Sequence, residues 1–349
     1  MFSNFIYFII ALLIYTTYQP SAESNLGTLK TLFLFISLIA LFSYFTRIQF
    51  QAIRKRIRRE TFSSLDHRFN AVLTRQSVLA IVLFAIDVYG LGLSSFFKDI
   101  TIFSIIPTFQ ALIFIALFVC YLSIVWICAH APYQGLYNTD ISMRSYVFSN
   151  ILFSMPVLLP WLILSGISDI ILAIPFEAPK RFLSTTEGEV IYFVVFLFVI
   201  AIIGPRMIQK FWRCKPLESG YHRNRIERLC EKAGLQYANI LYWPIFGGKM
   251  ITAGVMGLTK KFRYILVTNA LLRLLEPVEI DAVIAHEIGH VKKKHLLFYL
   301  VFFVGYLLLS YAIFDLIIYF ILYVEPIYRF LSNAGIHQTT VTSTLFSLI

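Results

Sequence analysis

The chain has 349 residues, of which 58% are hydrophobic and 14% charged, with a mean hydropathy of +0.75 and a net charge of +11. So little charge cannot cover a soluble protein of this size, which leaves a multi-span helical membrane protein as the class. The basic residues gather at the ends of apolar runs, so they point to a cytoplasmic membrane face and anionic lipid rather than to nucleic acid.

Membrane spans need about 20 apolar residues. In chain order, residues 2–18, 31–46, 76–97, 109–131, 146–167 and 190–205 read as six spans. The first lacks a basic leader, its nearest basic residue being Lys30, and is read as a retained span rather than a signal peptide. Residues 47–75 carry eight Lys/Arg against two acids and are expected to form a cytoplasmic loop. Counting spans from there brings the chain back to the cytoplasm at Arg206, Lys210, Arg213 and Lys215, a second basic cluster that agrees with the first. Pro156 and Pro160 interrupt the fifth span, and Asp87 lies inside the third. An intramembrane acid is a functional candidate, with a plain pairing role as the even alternative.

From Arg206 to His295 the character changes. Sixteen Lys/Arg stand against seven Asp/Glu between Arg206 and Lys294, and no span-length apolar run survives. Residues 221–233 read as a helix stopped by Gly234. Residues 237–242, 249–257 and 262–268 read as strands, and Pro277 opens a helix expected to run through His295. The expected fold is thus a multi-span α-helical membrane protein with a small α+β, zincin-type (gluzincin-like) domain on the cytoplasmic face. Its parts are a six-span region over 1–205, the domain over 206–295, and a further span with an incomplete one over 296–349. The apolar run from Leu296 carries Asp315, and another begins near Thr339 and stops at Ile349, which reads as a chain cut short. The four cysteines, Cys120, Cys128, Cys214 and Cys230, show no metal spacing and are read as free thiols.

Residues 286–290 read His-Glu-Ile-Gly-His. At about 100° per residue, His286 and His290 lie about 40° apart, one turn from each other on one helix face. Two imidazoles so placed suit one Zn²⁺ at about 2.0–2.1 Å each. Glu287, adjacent to the first ligand, is too close to be a comfortable third one and is placed instead as general base for zinc-activated water. On a continuous helix His295 falls about 180° from His286, so it is expected to lie off the metal as an interface residue. Neither Asp315 nor Glu325 is suitably placed as a third ligand.

With those residues in view, the run 252–295 resembles membrane metallopeptidases of the HtpX and CaaX-prenyl-endopeptidase type. The small-residue strand, the strand-to-helix lead-in, the acidic Pro-containing turn, HEIGH and the later His295 carry the resemblance. It implies one Zn²⁺ on His286 and His290, with a third ligand, a Glu after a further pair of spans, beyond Ile349. It also implies that an extended peptide substrate pairs with the strand formed by Thr252, Ala253, Gly254, Val255, Met256 and Gly257. Where the family commonly shows Asn-Ala, this chain has Thr252-Ala253, so side-chain contacts from that Asn do not transfer.

The leading expectation is a zinc endopeptidase in a bacterial inner membrane or an endoplasmic reticulum, cutting membrane-associated or misfolded proteins. Prenylated C-terminal peptides are the second substrate option. A catalytically inactive scaffold is the rival class, favoured by the missing third ligand. A transporter would call for paired broken helices and several intramembrane charges.

Overall fold

A computed structural model describes residues 3–18, 27–57, 61–97, 100–244, 250–323 and 325–326. The elements in order are α1 (Ser3–Thr17), α2 (Thr28–Arg56), α3 (Phe62–Ala85), α4 (Thr101–Ile105), α5 (Pro107–Tyr137), α6 (Met143–Ser154), α7 (Leu159–Ala173), α8 (Glu177–Leu183) and α9 (Thr186–Phe211). They continue with β1 (Lys215–Pro216), α10 (Tyr221–Lys232), β2 (Asn239–Tyr242), β3 (Ala253–Met256), β4 (Tyr264–Val267), α11 (Asn269–Leu274), α12 (Pro277–Lys292) and α13 (His295–Tyr323). The chain divides into two compact units, Met1–Ile284 and Ala285–Ile349, with the boundary inside α12.

The protein is a multi-pass helical membrane protein with a small mixed sheet. Thr28–Arg56, Phe62–Gly90, Pro107–Tyr137, Glu187–Phe211 and His295–Phe320 are each long and apolar enough to cross a bilayer. Met143–Val157 and Leu159–Ala173 form an apolar pair bent by 58° where Pro156 and Pro160 fall, the geometry of a broken span or a re-entrant loop. The six runs read over 1–205 thus become four long helices, this bent pair and the 15-residue α1. α1 is shorter than a full span and is packed into the bundle, with Phe8 edge-on to Phe118 and Tyr15 stacked on Phe114.

The basic segment 47–75, read as a loop, is mostly helix. α2 runs on to Arg56 and α3 starts at Phe62, so only a few residues connect them. Lys and Arg are good helix formers, and a span carries its helix past the apolar zone where backbone hydrogen bonds still gain from continuing. α5 is the hub of the bundle core, burying Phe114, Phe118, Tyr121, Leu122, Val125 and Trp126.

The sheet order is β1-β2-β4-β3. β2 and β4 are parallel, while β1 and β3 are antiparallel edges. The sequence reading found three of the four strands and missed β1, which is two residues long and contains Pro216, a residue that fits only at an edge. β2 and β4 bury Ile240, Leu241, Ile265, Leu266 and Val267. One sheet face meets the bundle through Phe153 of α6, Trp243 and Trp212. The turn after β3 depends on Gly257, whose φ is 110° and where a Cβ would stand 2.1 Å from the Phe262 carbonyl oxygen.

Candidate functional site

α12 begins as its sequence dictates. Pro277 occupies the first turn, and the Glu276 N–H donates to Glu279 Oε2 at 2.8 Å, which satisfies one otherwise orphaned helix donor. Arg225 of α10 grips Asp281 through two bonds of 2.6 Å each. That fork holds the opening turns of α12 in place. Ile280, Ile284 and Ile288, spaced by four, form the buried stripe of the helix. His286 and His290 fall on the opposite side and are exposed, with Glu287 half-buried.

The two histidines come together as the spacing requires. Their Nε2 atoms lie 3.1 Å apart and their rings are nearly perpendicular at 86°. Two nitrogens on a tetrahedral zinc with bonds of about 2.0–2.1 Å stand about 3.4 Å apart, so a shift of a few tenths of an ångström admits the ion. The pair therefore fits a shared metal. Among the described residues, no group of three His, Cys, Asp or Glu side chains is arranged to hold one.

The helix expected to run unbroken through His295 requires a correction. Instead α12 ends at Lys292, Lys294 takes a left-handed φ of 55°, and α13 restarts at His295. The Lys293 and Lys294 N–H groups close the old helix on the Gly289 and Val291 carbonyls at 3.0 Å each, and the Phe298 N–H opens the new one on the Lys294 carbonyl. The kink swings His295 Nδ1 to 2.7 Å from His290 Nδ1. A left-handed residue that is not Gly is not legible from periodicity, which is why the break was not expected here.

β3, the strand proposed to receive substrate, is an edge of the sheet. The Thr268 N–H donates to the Thr252 carbonyl, so by antiparallel alternation Ala253 and Val255 turn their backbone groups away from β4. The Ala253 carbonyl already accepts from the Thr252 hydroxyl at 3.2 Å.

The remaining candidates are dispersed. Asp87 is fully buried beside α5, its Oδ2 accepting from the Tyr121 hydroxyl at 2.7 Å. It sits in a π-helical turn, Ile86–Gly90. The Asp315 side chain and the apolar stretch from Thr339 lie outside the described residues. All four cysteines are free. Burial pushes the Cys230 thiol up to about 11 and the Cys214 thiol up to about 12, so both remain neutral packing groups at physiological pH.

Three comparisons bear on this site. Residues 216–345 match peptidase family M48. CAAX prenyl protease 1 of Saccharomyces cerevisiae is 33% identical over 119 residues, covering 32% of this chain and 26% of that protein. The matched segment therefore spans about a quarter of that relative's length. The crystal structure of S. mikatae Ste24p aligns with 88% of this chain and 72% of its own, at 20% identity and a TM-score of 0.40.

Proposed function

We propose, from the match of residues 216–345 to peptidase family M48, a family of zinc metallopeptidases, that this chain carries zinc-binding residues of a membrane endopeptidase. The observation that carries the reading is the approach of His286 Nε2 and His290 Nε2 to 3.1 Å on one face of α12, with Glu287 next to the first of them.

His286 and His290 would hold the ion through Nε2. When bound, zinc supplies Lewis acidity for the scissile carbonyl and lowers the pKa of water. Glu287 takes the proton of the attacking water and returns it to the leaving amine. With the proton on His290 Nδ1, that N–H would donate to His295 Nδ1 and leave Nε2 free as a ligand. The outward backbone groups of β3 offer an extended peptide a strand to pair with, Val255 contributing both N–H and C=O. The basic cluster from Arg206 to Lys215 supports a cytoplasmic placement of the sheet domain. The relative's name makes prenylated C-terminal peptides one substrate class to try, beside unfolded membrane proteins.

The test is Glu287→Gln in the purified full-length protein, with zinc content and cleavage of both substrate classes measured together. The expected result is unchanged zinc with cleavage lowered at least about a thousandfold. Undiminished, chelator-sensitive cleavage by that variant would sink the role given to Glu287. A wild-type protein that binds zinc and cuts neither substrate class would favour the scaffold reading.

A further inference from the structure

A second concave site lies away from α12, where the opening turns of α6 meet the end of α9. Arg144, Ser145, Phe148, Ser149, Leu152, Phe153, Trp212, Arg213 and Pro244 line a cavity of about 460 Å³. From this cavity and its two arginines we infer a binding site for the headgroup of an anionic phospholipid, independent of the peptidase reading.

Four observations carry it. First, α9 is long and apolar enough to cross a bilayer and α6 begins the bent apolar pair, so the site lies at the ends of apolar helices, where lipid headgroups are expected. Second, neither Arg144 nor Arg213 belongs to the ion pairs formed among the described residues. Two arginines converging without a carboxylate select an anion, and their planar forks suit a phosphodiester.

Third, Arg213 is held there at a cost. It closes α9 in the left-handed position where glycine is the usual residue, with a φ of 52°, its N–H donating to the Lys210 carbonyl and the Cys214 N–H to that of Gln209. Its guanidinium lies 4.6 Å above the Phe148 ring, on the cavity wall. A non-glycine residue persists in this conformation where its side chain has work to do. Fourth, the Trp212 indole N–H is buried with no partner among the described residues, and Trp212 lines the cavity. An indole with an apolar body and a polar edge is a residue type suited to the membrane interface. Phe148, Leu152 and Phe153 complete an apolar wall for the glycerol and first acyl carbons.

The experiment places the full-length protein in phosphatidylcholine nanodiscs doped with brominated phosphatidylglycerol or, in parallel, brominated phosphatidylcholine, and follows tryptophan quenching. Trp212→Phe identifies its share of the signal. Saturable quenching of Trp212 by phosphatidylglycerol at levels where phosphatidylcholine gives little is expected. Arg144→Gln and Arg213→Gln should each weaken it about fivefold, the equivalent of about 1 kcal/mol per basic side chain at a membrane surface. Arg144→Lys with Arg213→Lys should retain most of it, which separates charge from folding, and Arg54→Gln in the other basic cluster should leave it intact. Equal quenching by both lipids, or a preference that survives the double Gln variant, would overturn the assignment. Displacement by a peptide carboxylate with no phosphatidylglycerol preference would hand the cavity to peptide and equally overturn it.

Discussion

α5 and α13 are almost the same helix by composition, 31 and 29 residues of unbroken apolar character, yet 44% of the most apolar stretch of α5 is buried against 6% for α13. Hydropathy states that a segment belongs in the membrane. It does not state whether the segment meets protein or lipid, because lipid tails are as apolar as leucine. What sets α5 apart is its aromatic packing and its polar anchors, among them the Tyr121 hydroxyl on Asp87 and the Thr108 N–H on Asp169. α13 carries its chemistry at its first residue, His295, and exposes Phe298, Phe302, Tyr306 and Leu309 beyond it.

Substitutions should separate the two helices sharply. Phe118→Ala in α5 removes a fully buried ring set between Phe8 and Phe84 and should cost about 3–5 kcal/mol, seen as a large fall in thermal midpoint in detergent. His295→Ala, at the head of α13, should leave that midpoint nearly unchanged while zinc affinity, measured by chelator competition, falls about ten- to a hundredfold. Unchanged affinity would remove His295 from the site. Tyr121→Phe takes the donor from Asp87 Oδ2, whose neighbour Oδ1 is already buried with no partner among the described residues, and should cost about 1–2 kcal/mol. Phe302→Ala, 65% exposed, should stay within about 0.5 kcal/mol of wild type. A larger loss there would mean that α13 is covered by protein in the membrane.

On the edge of β3, Val255→Pro is the finer probe. It removes an outward N–H without breaking a β3–β4 bond, so peptide cleavage should drop while zinc binding holds, as read by activity and metal content on one sample.

The sequence made some of this plain and hid the rest for identifiable reasons. The histidine pair was legible because a helix places residues four apart on one face whatever surrounds it, and His286 and His290 obey that rule. The Pro277 start and the Gly234 stop were legible from local chemistry, while the edge position of β3 was implied only by the family resemblance. The lengths of α2 and α3 were not, since charged residues at 47–75 mark the end of the apolar zone and not the end of a helix. The break before His295 was hidden because one left-handed residue, Lys294, rotates everything after it. The Arg144–Arg213 cavity was invisible because its two arginines are nearly seventy positions apart and meet only after the bent pair has folded.

That bent pair has a mechanical consequence. A straight helix meets a thicker or thinner bilayer chiefly by tilting. The pair broken at 58° can also open or close its hinge. Just before the hinge stands Phe153, stacked on Trp212 at 6.1 Å and tilted against Trp243 at 6.5 Å, where the bundle touches the sheet. A change in that hinge angle should therefore reach the sheet through these three aromatic rings, which lipids of graded thickness would test with no change in the sequence.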